Sequence, residues 1–317
     1  MPLTASTTPK LDMVRLNEGV AGLAARAAPG VLGVGLMNLE SGEHFTFNGD
    51  RRFPMQSVFK APLGAAALAE VDAGRLALDE AEIIDAQDLS PGWSPLAEAW
   101  PARRDYTLGE LLTATVADSD NTAADVLMRR IGGPGAVTAW LSTKRLSEIR
   151  VDRYERELQP EVYGMASFRP AWKGRGFDQA RSTVPEATRR AAMAAYMRDP
   201  RDTATPRAML DFLLRLDRYE LLSPVATRRM IEMMLATSRG NDRLKAGLPP
   251  GARFAHRPGT SGADLGLTTA FNDVGIITLP DRRSYAVAAF LSGATLSAEG
   301  QAGLFAELGR LVIASVG

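Results

Sequence analysis

Apolar residues recur along this chain with two different periods. Between residues 11 and 27 they fall at Leu11, Val14, Val20, Leu23 and Ala24, the spacing of a helix with one buried stripe. Residues 31–39 and 44–48 read as two strands joined at Ser41-Gly42, a hairpin. After Lys60 the stretch to residue 72 is almost uniformly apolar, which predicts a helix buried on every side. Helical spacing returns at 108–116, 121–130, 136–146, 206–216 and 224–235. Strand-like runs follow at 252–256, 267–279 and 284–291, and a last helix is expected at 297–314. Strands at both ends with helices between them predict an α+β fold. Its antiparallel sheet is flanked by the terminal helices, and an all-α subdomain is inserted. The expected division is a discontinuous α/β subdomain, 11–56 with 207–317, and a helical subdomain, 57–206.

Composition narrows the chemistry. The chain has 317 residues, 45% hydrophobic and 23% charged, with a formal net charge of zero. That balance speaks against a nucleic-acid or membrane-surface partner, both of which need basic patches. Without Cys there is no thiolate nucleophile or Cys-ligated metal, and two His, His44 and His256, are too few for a multi-His metal site. No metal or organic cofactor is expected. The longest apolar runs are too short to cross a bilayer. Residues 1–10 lack a charged region followed by an apolar one, so the chain reads as cytoplasmic or as a mature form whose export signal is gone.

Three short elements then carry the argument. Ser57 and Lys60 form the only Ser-x-x-Lys, one helical turn apart, so a hydroxyl and an amine share a face. Alone, such a pair is more often a helix cap with a snorkelling lysine. Ser119-Asp120-Asn121 lies between two helical segments, where a turn and cap is the ordinary reading. The run 152–158 places Glu155 in a charged segment that otherwise reads as a solvated loop. In this order they offer a nucleophile, a base, a second hydroxyl and a carboxylate able to activate water.

The ordered set resembles the class A serine β-lactamases. The resemblance covers roughly residues 30–295 and implies a serine β-lactamase/D,D-peptidase-like fold. It implies Ser57 as nucleophile, deprotonated by Lys60 or by a water on Glu155, Ser119 as proton relay and Glu155 as the group that activates water against the acyl-enzyme. Asn121 would contact the substrate's acyl side chain, and Trp93 would stand at the cleft rim. The oxyanion would rest on the main-chain N–H groups of Ser57 and Thr260. Residues 152–202 would form the omega loop, its ends clamped by Arg153 and Asp202. Gln159 stands where the family usually has Asn. The segment between Gln159 and Asp202 is much longer than the family's, and the first expectation for it is a surface addition, the second a wall or lid beside the cleft. A helix is expected within it at about 186–197.

The third family element departs from its pattern. Where Lys-Thr-Gly is expected the chain has Arg257-Pro258-Gly259. Arg257 keeps the charge and is expected to fork a substrate carboxylate, with Arg243 helping. Pro258 removes a backbone N–H and a hydroxyl, and Thr260 and Ser261 would replace the hydroxyl. His256 is expected to pack beside the strand without catalytic duty. The resemblance therefore implies hydrolysis of penicillin- or cephalosporin-type rings by a monomeric, exported enzyme. A D,D-peptidase or esterase on the same scaffold, and a β-lactam sensor that acylates without turnover, stay open at this point.

Overall fold

A computed structural model describes residues 10–316. Residues 1–9, on which most of the reading about an export signal rests, lie outside the described residues, as does Gly317. Five strands, β1 (Val31–Asn38), β2 (His44–Phe47), β3 (Arg253–Thr260), β4 (Phe271–Thr278) and β5 (Ser284–Ser292), form one antiparallel sheet. Their order is β2-β1-β5-β4-β3, so strands from the two ends of the chain pair at its centre, Val31 opposite Ser292 and Asn38 opposite Tyr285.

Side chains alternate across a strand, and each face finds its own helices. Leu32, Val34 and Leu36 of β1, with Val287, Ala289 and Leu291 of β5, meet Leu16, Val20, Leu304, Phe305 and Leu308 of the terminal helices Met13–Ala27 and Ala298–Ala314. Met37, Ala286, Ala288 and Phe290 point the other way, into a second core shared with helices Lys60–Asp72, Pro206–Asp217 and Pro224–Leu235. Full burial of each large apolar side chain contributes about 1.5–3 kcal/mol.

Several expectations shift on inspection. The helix read from residue 57 begins as a 3-10 turn, Gln56–Phe59, and becomes α-helical at Lys60–Asp72. The run 267–279 breaks in two: Leu267–Thr268 pairs with Ala263–Asp264 as a small hairpin, and β4 starts at Phe271. The strand read at 252–256 runs on to Thr260, so Arg257-Pro258-Gly259 lies in β3, the sheet edge, where a strand tolerates proline. The long segment after Gln159 is not a surface addition. It forms helices Arg175–Ser182 and Glu186–Tyr196, and its Tyr163, Phe168, Phe177, Met193 and Tyr196 are buried in a third core with Leu96, Tyr106 and Leu158. Aromatic residues at that density supply enough apolar area to hold a helical pair against the molecule.

Candidate active site

The nucleophile turn is held in an uncommon conformation. Gln56 has φ +46°, in the left-handed region, and Ser119 has φ +66°. Such backbone costs about 1–3 kcal/mol per residue and persists where the surroundings over-determine it. At Ser119 they do. Asp120 accepts from Ala123 N (2.8 Å), Leu96 N (2.7 Å) and Ser94 Oγ (2.8 Å), and Asn121 N donates to Trp93 O (3.0 Å). The cap expected of this tripeptide is therefore present, and it aims Ser119 and Asn121 at Lys60.

Lys60 is fully buried. Its Nζ lies 3.0 Å from Ser57 Oγ, 3.0 Å from Ser119 O, 2.5 Å from Asn121 Oδ1 and 3.2 Å from Glu155 Oε1. Burial pushes the lysine pKa down, Glu155 opposes this, and the Arg257 charge adds to it. A lysine so placed has access to its neutral form, whose lone pair can take the proton of a neighbouring hydroxyl.

Glu155 opens helix Glu155–Val162 and is 1% exposed. Its Oε2 accepts from Gln159 Nε2 at 2.7 Å, so the extra methylene of Gln still reaches the carboxylate. Its Oε1 accepts no hydrogen bond of good geometry among the described residues. The two ends of the 152–202 segment are tied together: Arg153 Nε donates to Asp202 Oδ2 (2.6 Å), and Asp152 N donates to Asp202 Oδ1 (2.7 Å).

Asp125 sets the start of this helix. Its Oδ1 accepts from Glu155 N (2.7 Å), and its Oδ2 accepts from Arg156 N (3.0 Å) and Ser90 Oγ (2.6 Å). Burial pushes its carboxyl up to about 7; the Ser90 hydroxyl opposes this and the Glu155 charge adds to it. The native state thus holds the proton more tightly than the unfolded chain, whose Asp titrates near 4. The cost of charging Asp125 is absent below about pH 4, grows between 4 and 7, and is complete above, on the order of 4 kcal/mol. Asp125→Asn removes this titration. In urea melts, the difference in unfolding free energy should move in the variant's favour by a few kcal/mol from pH 4 to pH 8. A difference that does not vary with pH would show that Asp125 does not titrate in this range.

The third element needs correction. Arg257 does not reach the cleft as a carboxylate fork. It is fully buried, with Nε on Ser57 O (3.0 Å), Nη1 on Val116 O (3.1 Å) and Nη2 on Ser119 Oγ. The strand's alternation turns it inward beneath the nucleophile. Burial, with Arg239 second, pushes it down to about 9, which leaves it charged at neutral pH. Arg243 lies along the cleft wall, but Nη1 is engaged with Asn272 O (2.6 Å) and Gly259 O (3.2 Å), and Nη2 with Thr260 Oγ1. It braces β3 rather than standing free. Ser261 is also spent: its Oγ donates to Gly262 O (2.8 Å) and accepts from Thr269 N (3.1 Å) and Ala270 N (3.2 Å). Thr260 accepts from Arg243 and keeps its own O–H to donate. Gly259 is required by packing, since a Cβ there would collide with Met55 O. The missing side chain lets β3 lie against the nucleophile turn.

An open cleft of about 690 Å³ passes over these groups, lined among others by Ser57, Trp93, Ser119, Asn121, Gln159 and Thr260. Trp93 is 51% exposed, and its Nε1 donates to Asp118 O at 2.9 Å. The exposed Arg239 stacks on it, Cζ 4.3 Å from the ring centroid. His256 is buried against Asp273 (Nδ1 to Oδ1 2.8 Å), away from the cleft. The long segment after Gln159 is tied to the chain around the cleft. Tyr163 Oη donates to Ser261 O (2.7 Å), Arg189 pairs with Asp264 (2.5 Å), and Lys173 Nζ donates to Trp100 O (2.7 Å). Sequence reasoning missed Gln56, Asp125, Tyr196 and Arg239. None sits in a motif, and only the adjacency of Gln56 to Ser57 offered a signal.

A half-buried serine, a buried lysine and a buried glutamate converging beside an open cleft define a serine hydrolase. The chain belongs to the β-lactamase enzyme family, whose model matches residues 15–316. It is 29% identical over 283 residues to β-lactamase VEB-1 of Pseudomonas aeruginosa, covering 88% of this chain and 83% of that protein. It is 29% identical to β-lactamase L2 of Stenotrophomonas maltophilia, covering 100% and 88%. Among solved structures it resembles an ancestral class A β-lactamase, the last common ancestor of Gram-negative bacteria, at TM-score 0.77 and 34% identity, covering 94% and 99%. A β-lactamase from Chitinophaga pinensis matches at TM-score 0.76 and 31% identity, covering 93% and 97%.

Proposed function

We propose that the chain hydrolyses β-lactam rings through an acyl-enzyme on Ser57, which water activated by Glu155 releases. The observation that carries this reading is the meeting of Ser57 Oγ and Glu155 Oε1 on one buried amine, at 3.0 and 3.2 Å. Ser57 Oγ attacks the lactam carbonyl carbon and its proton passes to Lys60. The oxyanion rests on the N–H groups of Ser57 and Thr260. As the C–N bond breaks, Ser119 gives its proton to the ring nitrogen and recovers one from Lys60. Glu155 Oε1 then takes a proton from water, which attacks the ester, and that proton passes from Glu155 through Lys60 to Ser57 Oγ, which leaves as the hydroxyl.

With Arg257 and Arg243 engaged, Arg239 is the exposed guanidinium at the cleft, and we assign it to the substrate carboxylate, with Thr260 donating beside it. Asn121 and Trp93 border the acyl side chain. Arg239→Ala should raise KM for penicillins about tenfold with kcat within twofold, the loss of one charge-assisted hydrogen bond. An unchanged KM would remove Arg239 from this role.

The purified protein should turn over a chromogenic cephalosporin, and its intact mass should return to that of the free chain once penicillin is exhausted. A lasting penicilloyl adduct would reverse the reading toward a peptidase or sensor, neither of which the intact Glu155–Gln159 contact favours. A monomer is the corresponding proposal for the chain's assembly state. The relatives are bacterial β-lactamases, and export to the periplasm or medium is the corresponding proposal for this chain. No helix among the described residues is long and apolar enough to cross a membrane.

A further inference from the structure

The long segment after Gln159 carries one side chain into the hydrogen-bond network of the water-activating carboxylate. Gln159 Nε2 donates to Glu155 Oε2 (2.7 Å) and also to Gln56 Oε1 (2.9 Å). Gln56 Nε2 in turn donates to Tyr196 Oη (2.8 Å), at the end of helix Glu186–Tyr196. Gln56 is 1% exposed and Tyr196 5%.

The direction of this chain follows from charge. An ionised carboxylate only accepts, so Gln159 must turn its amide nitrogen toward Glu155. The second N–H of that nitrogen meets Gln56, which must then present its carbonyl oxygen. Gln56 is left with its own amide nitrogen pointing at Tyr196, where an acceptor is required. The phenol oxygen is that acceptor, and burial holds the phenol above its ordinary range, so it stays protonated. The same contact holds Gln56, whose φ of +46° is uncommon for a residue with a side chain.

We infer that Tyr196 is a positioning residue for deacylation: through Gln56 and Gln159 it fixes the Glu155 carboxylate against the hydrolytic water, so the inserted helix serves the second half of the reaction. This rests on the assignment of Glu155 proposed above. It acts on deacylation more than on acylation, because the chain ends on Glu155 while Lys60 has its own contacts to Asn121 and Ser119.

The test is transient kinetics with benzylpenicillin, resolving acylation from deacylation, with intact mass read in the steady state. Tyr196→Phe keeps the buried ring and removes only the oxygen. Its deacylation constant should fall about tenfold, as expected for a small misplacement of a reacting group, with acylation within twofold. Gln56→Leu cuts the chain at its middle and leaves the packing of the inserted helix in place. It should give the same selective loss, and the double variant should be no slower than the slower single, since both break one unit. Deacylation unchanged in both singles, or acylation and deacylation falling together, would overturn the inference. Glu155→Gln run alongside separates the two claims: if it fails to accumulate acyl-enzyme, the role of Glu155 falls first.

Discussion

Replacing Ser57 with alanine is expected to lower turnover of a chromogenic cephalosporin by roughly 10⁴- to 10⁶-fold, the scale of losing a nucleophile that acts as part of a unit. The substitution removes one oxygen at a half-buried position, so the fold should survive it. Lys60 keeps its contacts to Ser119 O and Asn121 Oδ1 in the variant. The decisive readout is covalent. Wild type incubated briefly with penicillin should show an added mass on the peptide holding Ser57, and the variant none. An adduct that persists in Ser57→Ala would move the nucleophile elsewhere, and Ser119, 3.5 Å from the same amine, would be the next position to change.

Glu155→Gln is expected to divide the reaction in two. Gln has nearly the same shape but takes no proton from water, and losing a general base costs about 10²- to 10⁴-fold. Acylation should continue, because Ser57 still has Lys60 beside it, and the acyl-enzyme should accumulate to nearly one equivalent. Mass spectra at short and long times would record this as an adduct that wild type sheds and the variant keeps. The substitution also removes the negative charge facing Lys60, which had opposed the effect of burial. The amine should then sit lower still, and its neutral form should be more available. Turnover at the wild-type rate would strip Glu155 of its role and leave deacylation to another group.

Three Arg residues, two lining the cleft and one buried beneath it, show how sequence and structure divide the work. All three are visible as charges in the sequence, and two of them read as carboxylate ligands. A strand's alternation sends Arg257 beneath Ser57, and Arg243 is drawn into the carbonyls of β3 and β4. Among the described residues lining the cleft, the exposed guanidinium is that of Arg239, which belongs to no motif. Ser261 fails for a related reason: its hydroxyl completes the backbone of a hairpin that no spacing in the sequence reveals.

What the sequence determined by itself was the local chemistry and the layering. Period-two and helical spacing were enough for the sheet, its covering helices and the α+β class, because burial of one face per element dictates those patterns. Ser57 with Lys60, and the cap of Ser119-Asp120-Asn121, were legible because each is set within one or two turns of chain. The tertiary structure alone decided which distant groups meet. Tyr196 reaches Gln56 across 140 residues of chain, and Arg257 reaches Ser119 across 138. Such pairs leave no spacing to read. They exist because buried polar groups must find partners, and only the packed molecule determines which ones are near.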